Sequence, residues 1–326
     1  MRTIVQFPDI GGYAPGVLSG LDPSTPGVQQ TLHAFDREAA RAGLEPVSAL
    51  LSDPAGPAID AVAAVPVQLY LSAMAASLAL FHAWIDRGGK ADALLGHGTG
   101  ELTALCAAEA ITPRDAARLL CVREAALAAG HFKGGLTTLH VDAATAAHLC
   151  ATARGWSLQV SSINAPRQSA VSGLAAELDR LERIAQAAEI RYTRQLAIYP
   201  YHNRILASVA RRFVAATAQC ELQDPLIRVY SPLLGHFVNS AVDTQSLMTG
   251  HLTDTVDYLR SVRELYESYE VTTFVEIGAR PMLSESTAEA LPPTVDILRP
   301  PLIAANAETV LWALTAAPGQ PAKTSG

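Results

Sequence analysis

The sequence predicts a mixed α/β protein: a body built on a largely parallel sheet, interrupted by an inserted ferredoxin-like α+β subdomain. Three observations predict it. Short β-branched runs alternate with Ala/Leu-rich helical stretches along the chain. The strand Ala93-Leu94-Leu95 runs straight into a glycine-rich turn and then an apolar helix. Six short elements in β-α-β-β-α-β order occupy about 131–199.

Taken in order, Thr3–Phe7 reads as the first strand, closed by Pro8 and a Gly11-Gly12 turn. Residues 28–52 and 65–86 read as helices, and an apolar helix runs from about Glu101 to Glu109. Pro113 opens another, which carries Ala116, Leu119, Leu120 and Arg123. After Gly134-Gly135 the pattern changes. Leu136–Val141 is a strand, Ala143–Arg154 a helix, Ser157–Ile163 and Ser169–Ser172 strands, Ala175–Ala188 a helix and Ile190–Ile198 a last strand. The body, 1–130 and 200–317, resumes with a helix near 203–219 and a strand at Ile227–Tyr230. A helix from about Val256 to Tyr269 and a buried strand at Thr272–Ile277 complete it. The tail, 318–326, is rich in Pro, Gly, Lys and Ser and is expected to be flexible.

Composition narrows the function classes. The 326 residues are 49% hydrophobic and 17% charged, enough apolar material for a large core and too much for wholesale disorder. The net charge of −7, with 24 basic residues scattered along the chain, lacks the basic footprint of a nucleic-acid binder. Cys106, Cys121, Cys150 and Cys220 stand far apart with no CxxC or Cys/His ligand spacing. Neither a disulfide scaffold nor a structural metal site is expected, and a reducing cytoplasm fits. The apolar stretch at the start is too short for a signal-peptide core. The stretch Val65–Ile85, interrupted by Gln68, Ser72, Ser77 and His82, reads as a buried helix with no membrane role.

Strand, tight turn and helix form the setting of a G-x-S-x-G nucleophile elbow on an α/β-hydrolase-like body, where the turn lifts the central side chain and the next N–H faces a developing oxyanion. Here the five positions are Gly96-His97-Gly98-Thr99-Gly100, so the centre has no side chain. The spacing also fails the GxGxxG dinucleotide fingerprint, and the Walker A lysine is absent.

With its neighbours this segment resembles the malonyl-CoA:acyl-carrier-protein transacylases and the acyltransferase domains of polyketide synthases, over nearly the whole chain to about residue 310. Leu94 to Glu101 is similar to their GHSxGE elbow, and Asn164-Ala165-Pro166-Arg167-Gln168 with Val171-Ser172-Gly173 to their NxPxQ…VSG segment. Tyr201-His202-Asn203 is similar to their F-H-S segment, and Val275-Glu276-Ile277-Gly278 to their closing VEIGP strand.

The resemblance implies an acyltransferase fold, and His202 as catalytic base. Arg123, 25 residues beyond Gly98, takes the place of an arginine that pairs with a malonyl carboxylate. Gly98 stands at the lost nucleophile position, with the Thr99 N–H beside it for an oxyanion. Ile10 replaces a glutamine that borders the oxyanion hole, in an opening that reads Phe7-Pro8-Asp9-Ile10-Gly11-Gly12 where the family has FPGQG. His97 and Asn164 are expected to shape the substrate pocket, and Tyr201 to restrict branched acyl groups. His251 takes the place of the residue whose backbone orients the histidine, and is a candidate second imidazole near His202. No cofactor or metal is implied; CoA or phosphopantetheine thioesters are the expected substrates.

The expected partners are an acyl carrier protein or polyketide synthase module, with Arg191 and Arg194 as candidates for a local docking patch on an acidic chain. Two readings stay open: direct acyl transfer or thioester hydrolysis with His202 as base, and a non-catalytic carrier-binding or scaffold protein of the same fold. A third, a glycine introduced into an ordinary malonyl transferase, leaves Ile10 unexplained.

Overall fold

The computed structural model describes residues 2–302 and 306–315; the expected tail lies outside the described residues. Its strands are β1 (Thr3–Phe7), β2 (Ala93–Gly96), β3 (Gly134–Leu139), β4 (Gln159–Ala165), β5 (Gln168–Leu174), β6 (Tyr192–Arg194), β7 (Arg228–Ser231), β8 (His236–Val238), β9 (Val256–Asp257), β10 (Thr273–Glu276) and β11 (Asp296–Leu298). They form two sheets, ordered β11-β10-β1-β2-β7-β8 and β6-β3-β5-β4-β9.

In the first sheet the five strands from β11 to β7 run parallel, and β8 adds an antiparallel edge. Parallel strands need covered faces, and these strands are correspondingly apolar. The helix Pro66–Asp86 packs against the helices Pro26–Arg41 and Thr99–Ala107 beside this sheet. It is long and apolar enough to cross a membrane by length and composition, yet 89% of its most apolar window is buried within the fold. The expectation of a core helix is met.

The second sheet holds the ferredoxin-like strands in the order β6-β3-β5-β4, with helices Ala143–Ala153 and Ala175–Ala187 packed on it around Leu139, Leu149, Val171, Leu178 and Leu181. β9 then pairs in parallel with β4, Val256 opposite Ser162 and Asp257 opposite Ile163. That corrects the expected helix from Val256, which begins at Tyr258. It also ties this segment of the body to the edge of the second sheet.

Other boundaries shift for local reasons. The expected helix over 28–52 is two helices, Pro26–Arg41 and Val47–Ser52, because Gly43 takes a left-handed φ of 70° and Pro46 precedes the restart. The expected strand 190–198 keeps only β6. The expected helix at 203 starts at Ala207, after a short 3-10 turn, because Asn203 is extended and caps that turn through Ile205 N. Asn203 also rivets the two units, its Nδ2 donating to the Ser157 carbonyl at 2.8 Å and the Ser172 hydroxyl at 2.9 Å. β8, β11 and the helices Ala241–Gly250 and Ser284–Ala290 were not anticipated.

Candidate active-site cleft

A cavity of about 470 Å³ lies between the two units, walled by the loop after β1, the β2 turn, the faces of β3 and β4, residues 193–197 and the loop 281–286. That last loop is set by Glu276 at the end of β10. Its buried carboxylate accepts from the backbone N–H groups of Met282, Leu283 and Ser284 at 2.6–2.9 Å, which caps the following helix.

The elbow expected from sequence is present. β2 ends at Gly96, the chain turns, and a helix begins at Thr99. Gly98 sits at the apex with φ 57° and ψ −122°, a conformation that glycine adopts without strain. A Cβ on Gly100 would lie 2.1 Å from the Phe7 carbonyl oxygen, so the turn packs directly against the end of β1. Beneath it Glu101 is fully buried and accepts from the Ser231 hydroxyl; burial pushes its carboxyl up to about 8.

A carboxyl raised in the folded state retains a proton that the unfolded chain releases near pH 4.5, so stability is full below that pH and is lost as pH climbs toward 8. Denaturant titrations at pH 5 and pH 8 should show wild type losing as much as about 4 kcal/mol more than Glu101→Gln. Equal losses in both proteins would refute this.

Sequence reasoning missed Asp9 as a site residue. The pairing of Phe7 with Gly96 brings the loop after β1 alongside the elbow, and Asp9 turns toward its empty apex. A Cβ on Gly98 would stand 3.3 Å from Asp9 Oδ2 and 3.4 Å from its Cγ. Asp9 Oδ1 is shielded from solvent and has no hydrogen-bond partner. Burial raises the pKa of this carboxyl; Arg123, the Thr99 hydroxyl and N–H, and His97 oppose that shift. The Thr99 N–H, expected to await an oxyanion, therefore faces the protein's own carboxyl group. Ile10 stands next to it on the cavity wall and offers no side-chain donor.

His202 lines the same cavity in a left-handed conformation, φ 54°. Gln159 of β4 fastens its backbone, Nε2 donating to the carbonyls of His202 and Thr253 at 3.1 and 3.0 Å. His202 Nδ1 lies 3.1 Å from the Asp254 carbonyl, so it carries the proton, and among the described residues no protein group bonds Nε2. The orienting carbonyl is thus Asp254, which corrects the expectation for His251. Burial first, then the charges of His97 and Arg123, push His202 down to about 3, only partly offset by the Asp254 bond.

His251 does lie close, its ring 6.0 Å from that of His202. It is buried, stacked on Phe213 and 3.3 Å from Arg123 Nη1, and does not line the cavity. His97 donates through Nε2 to Asn164 Oδ1 at 2.9 Å, while Asn164 Nδ2 donates to Gln168 Oε1 at 3.2 Å. This fixes both side chains as cavity wall.

Arg123 is placed differently from the sequence expectation. It is 1% exposed and behind the cavity wall, packed against the rings of Tyr70 and Tyr201 at 4.4 and 5.3 Å. Its Nε pairs with Glu124 at 2.9 Å and its Nη1 donates to the Thr99 hydroxyl at 3.0 Å. The Tyr201 hydroxyl donates to the same Glu124 carboxylate at 2.9 and 3.0 Å. Arg194, expected to serve docking, is paired with Asp179 and Glu182. Among the described residues no group of three or more His, Cys, Asp or Glu is placed to hold a metal ion.

Comparison with known proteins gives this architecture its relatives. A structure of a loading acyltransferase from the avermectin modular polyketide synthase superposes with a TM-score of 0.84 at 22% identity, covering 96% of this chain and 98% of its own. A chain from the complex of a type II polyketide synthase acyl-carrier protein with its malonyl-transacylase gives 0.84 at 21% identity, covering 96% and 99%. Both show the fold. Norsolorinic acid synthase of Dothistroma septosporum is 25% identical over 281 residues, 85% of this chain but only 12% of that relative. The model of the acyl transferase domain matches residues 23–305, and the chain belongs to that family.

Proposed function

We propose that this chain binds acyl thioesters of CoA or of a carrier protein's phosphopantetheine in the cleft, within polyketide or fatty-acid-type biosynthesis. It passes the acyl group to an acceptor or to water without a serine ester. The observation that carries this is His202, with Nδ1 tethered to a carbonyl and Nε2 unbonded at the cavity wall. In the reaction Nε2 takes the proton of the attacking water, thiol or amine as that atom bonds to the thioester carbonyl. The C–S bond then breaks and the thiol leaves with the proton. The acyltransferase and malonyl-transacylase named in the solved relatives support acyl transfer, and the solved carrier-protein complex supports the partner.

One specific observation favours a second reading, a non-catalytic carrier-binding protein: the Asp9 carboxyl group lies beside Gly98 and the Thr99 N–H at the elbow. Incubation with acyl-CoA and holo carrier protein, followed by mass spectrometry of acyl-enzyme, acyl-carrier and free acid, separates the two. Under the first reading turnover occurs with no acyl-enzyme, and His202→Ala lowers it by about 10²–10⁴-fold. Because His202 titrates near 3, turnover should show no acid limb between pH 5 and 7. Turnover undiminished in His202→Ala would remove this histidine from the reaction, and none in wild type would leave the binding role.

A further inference from the structure

We propose that Asp9 makes the acyl end of the cleft select uncharged acyl groups and reject those that end in a carboxylate, such as malonyl. The inference rests on the thioester reading above and names the substrate class of that site. Its ground is the balance of charge around the elbow. Asp9 lines the cavity beside Gly98, with Oδ1 shielded and unpartnered. The guanidinium that the sequence offered as a carboxylate receptor is not on the wall. Arg123 lies behind Tyr70 and Tyr201, its Nε on Glu124 and its Nη1 on Thr99, while its Nη2 is buried without a hydrogen-bond partner among the described residues and does not reach the wall.

The cavity wall itself carries one guanidinium and no ammonium group among the described residues. That guanidinium, on Arg194, is already engaged by Asp179 and Glu182. His97 and His202 both have their pKa lowered by burial, so neither adds a cation at neutral pH. On the acidic side stand Asp9 and Glu285.

A second carboxylate placed near Gly98 would therefore meet Asp9 with no uncommitted cation on the cavity wall beside them. Two carboxylates sharing a shielded site cannot both ionise without large cost, and like-charge contacts are strongly unfavourable. An acetyl or other uncharged acyl group meets no such opposition and sits among Ile10, Tyr70, Leu136 and Met282.

Calorimetric titration of the whole protein with acetyl-CoA and malonyl-CoA tests this. Wild type should bind acetyl-CoA at least about tenfold more tightly than malonyl-CoA. Asp9→Asn, which keeps the shape and removes the ionisable carboxyl group, should improve malonyl-CoA binding by about tenfold or more and leave acetyl-CoA within about threefold. Malonyl-CoA binding as tightly as acetyl-CoA in wild type overturns the proposal, a result that needs no variant. So does an unchanged ratio in a folded Asp9→Asn. Absence of binding by both esters overturns the thioester reading itself, and the selectivity with it, whereas malonyl preference overturns only the selectivity.

Discussion

Gly98→Ser alone is expected to give no detectable acyl-enzyme with acetyl-CoA, whereas Gly98→Ser combined with Asp9→Gly gives an acetyl adduct that maps to residue 98. The elbow already holds the backbone at φ 57°, so a serine there costs on the order of 1–2 kcal/mol of local strain, which a fold of this size can absorb. The obstacle is Asp9. Its Oδ2 and Cγ stand 3.3 and 3.4 Å from the new Cβ, tighter than ordinary contact, before the hydroxyl is added. Its carboxyl group also faces the Thr99 N–H, the donor that a tetrahedral oxyanion requires. Losing one such donor typically costs about 10²–10³ in rate. Removing the Asp9 side chain opens the volume and takes the carboxyl group away from the Thr99 N–H. Intact-mass and peptide mapping after incubation read the result. Equal adduct yield in the single and double variants would show that Asp9 neither blocks nor competes.

How much of this was legible in the sequence depends on how local each feature is. The elbow is local: strand, glycines and helix follow one another within fifteen residues, roughly, and each glycine has a steric reason to be one. The insert is legible for the same reason, since six consecutive elements build most of a sheet. Asp9 is the opposite case. In sequence it is a polar residue in a turn after a strand, and only the register of β1 against β2 sets it beside Gly98. Arg123 and Glu124 are adjacent on one helix and would be expected to diverge by about 100° around it. Tyr201, from a segment 77 residues further on, holds Glu124 so that the guanidinium meets it. His251 and Asp254 differ by less than one helical turn, so sequence similarity could not choose which carbonyl reaches His202. β9 is two residues long, and its strand character comes wholly from β4.

Arg123→Met is expected to destabilise the protein by about 3–5 kcal/mol in denaturant titrations, and Arg123→Met/Glu124→Leu to recover much of that loss. Burial raises the Glu124 carboxyl; Arg123 and the Tyr201 hydroxyl are what hold it down. Without the guanidinium, a carboxylate enclosed among Tyr70, Tyr201 and the core has no counter-charge and must take up a proton or unfold its surroundings. Removing both partners takes away the unpaired charge and leaves the Tyr201 and Thr99 hydroxyls without their partners, and a buried ion pair is often replaceable at little cost. This cycle also discriminates between two roles for the arginine. If Arg123 stood ready for a substrate carboxylate, Arg123→Met would scarcely alter stability and would chiefly weaken malonyl-CoA binding. If its charge is engaged by Glu124 and sealed behind two tyrosines, stability falls and the ratio of malonyl-CoA to acetyl-CoA affinity stays where Asp9 sets it.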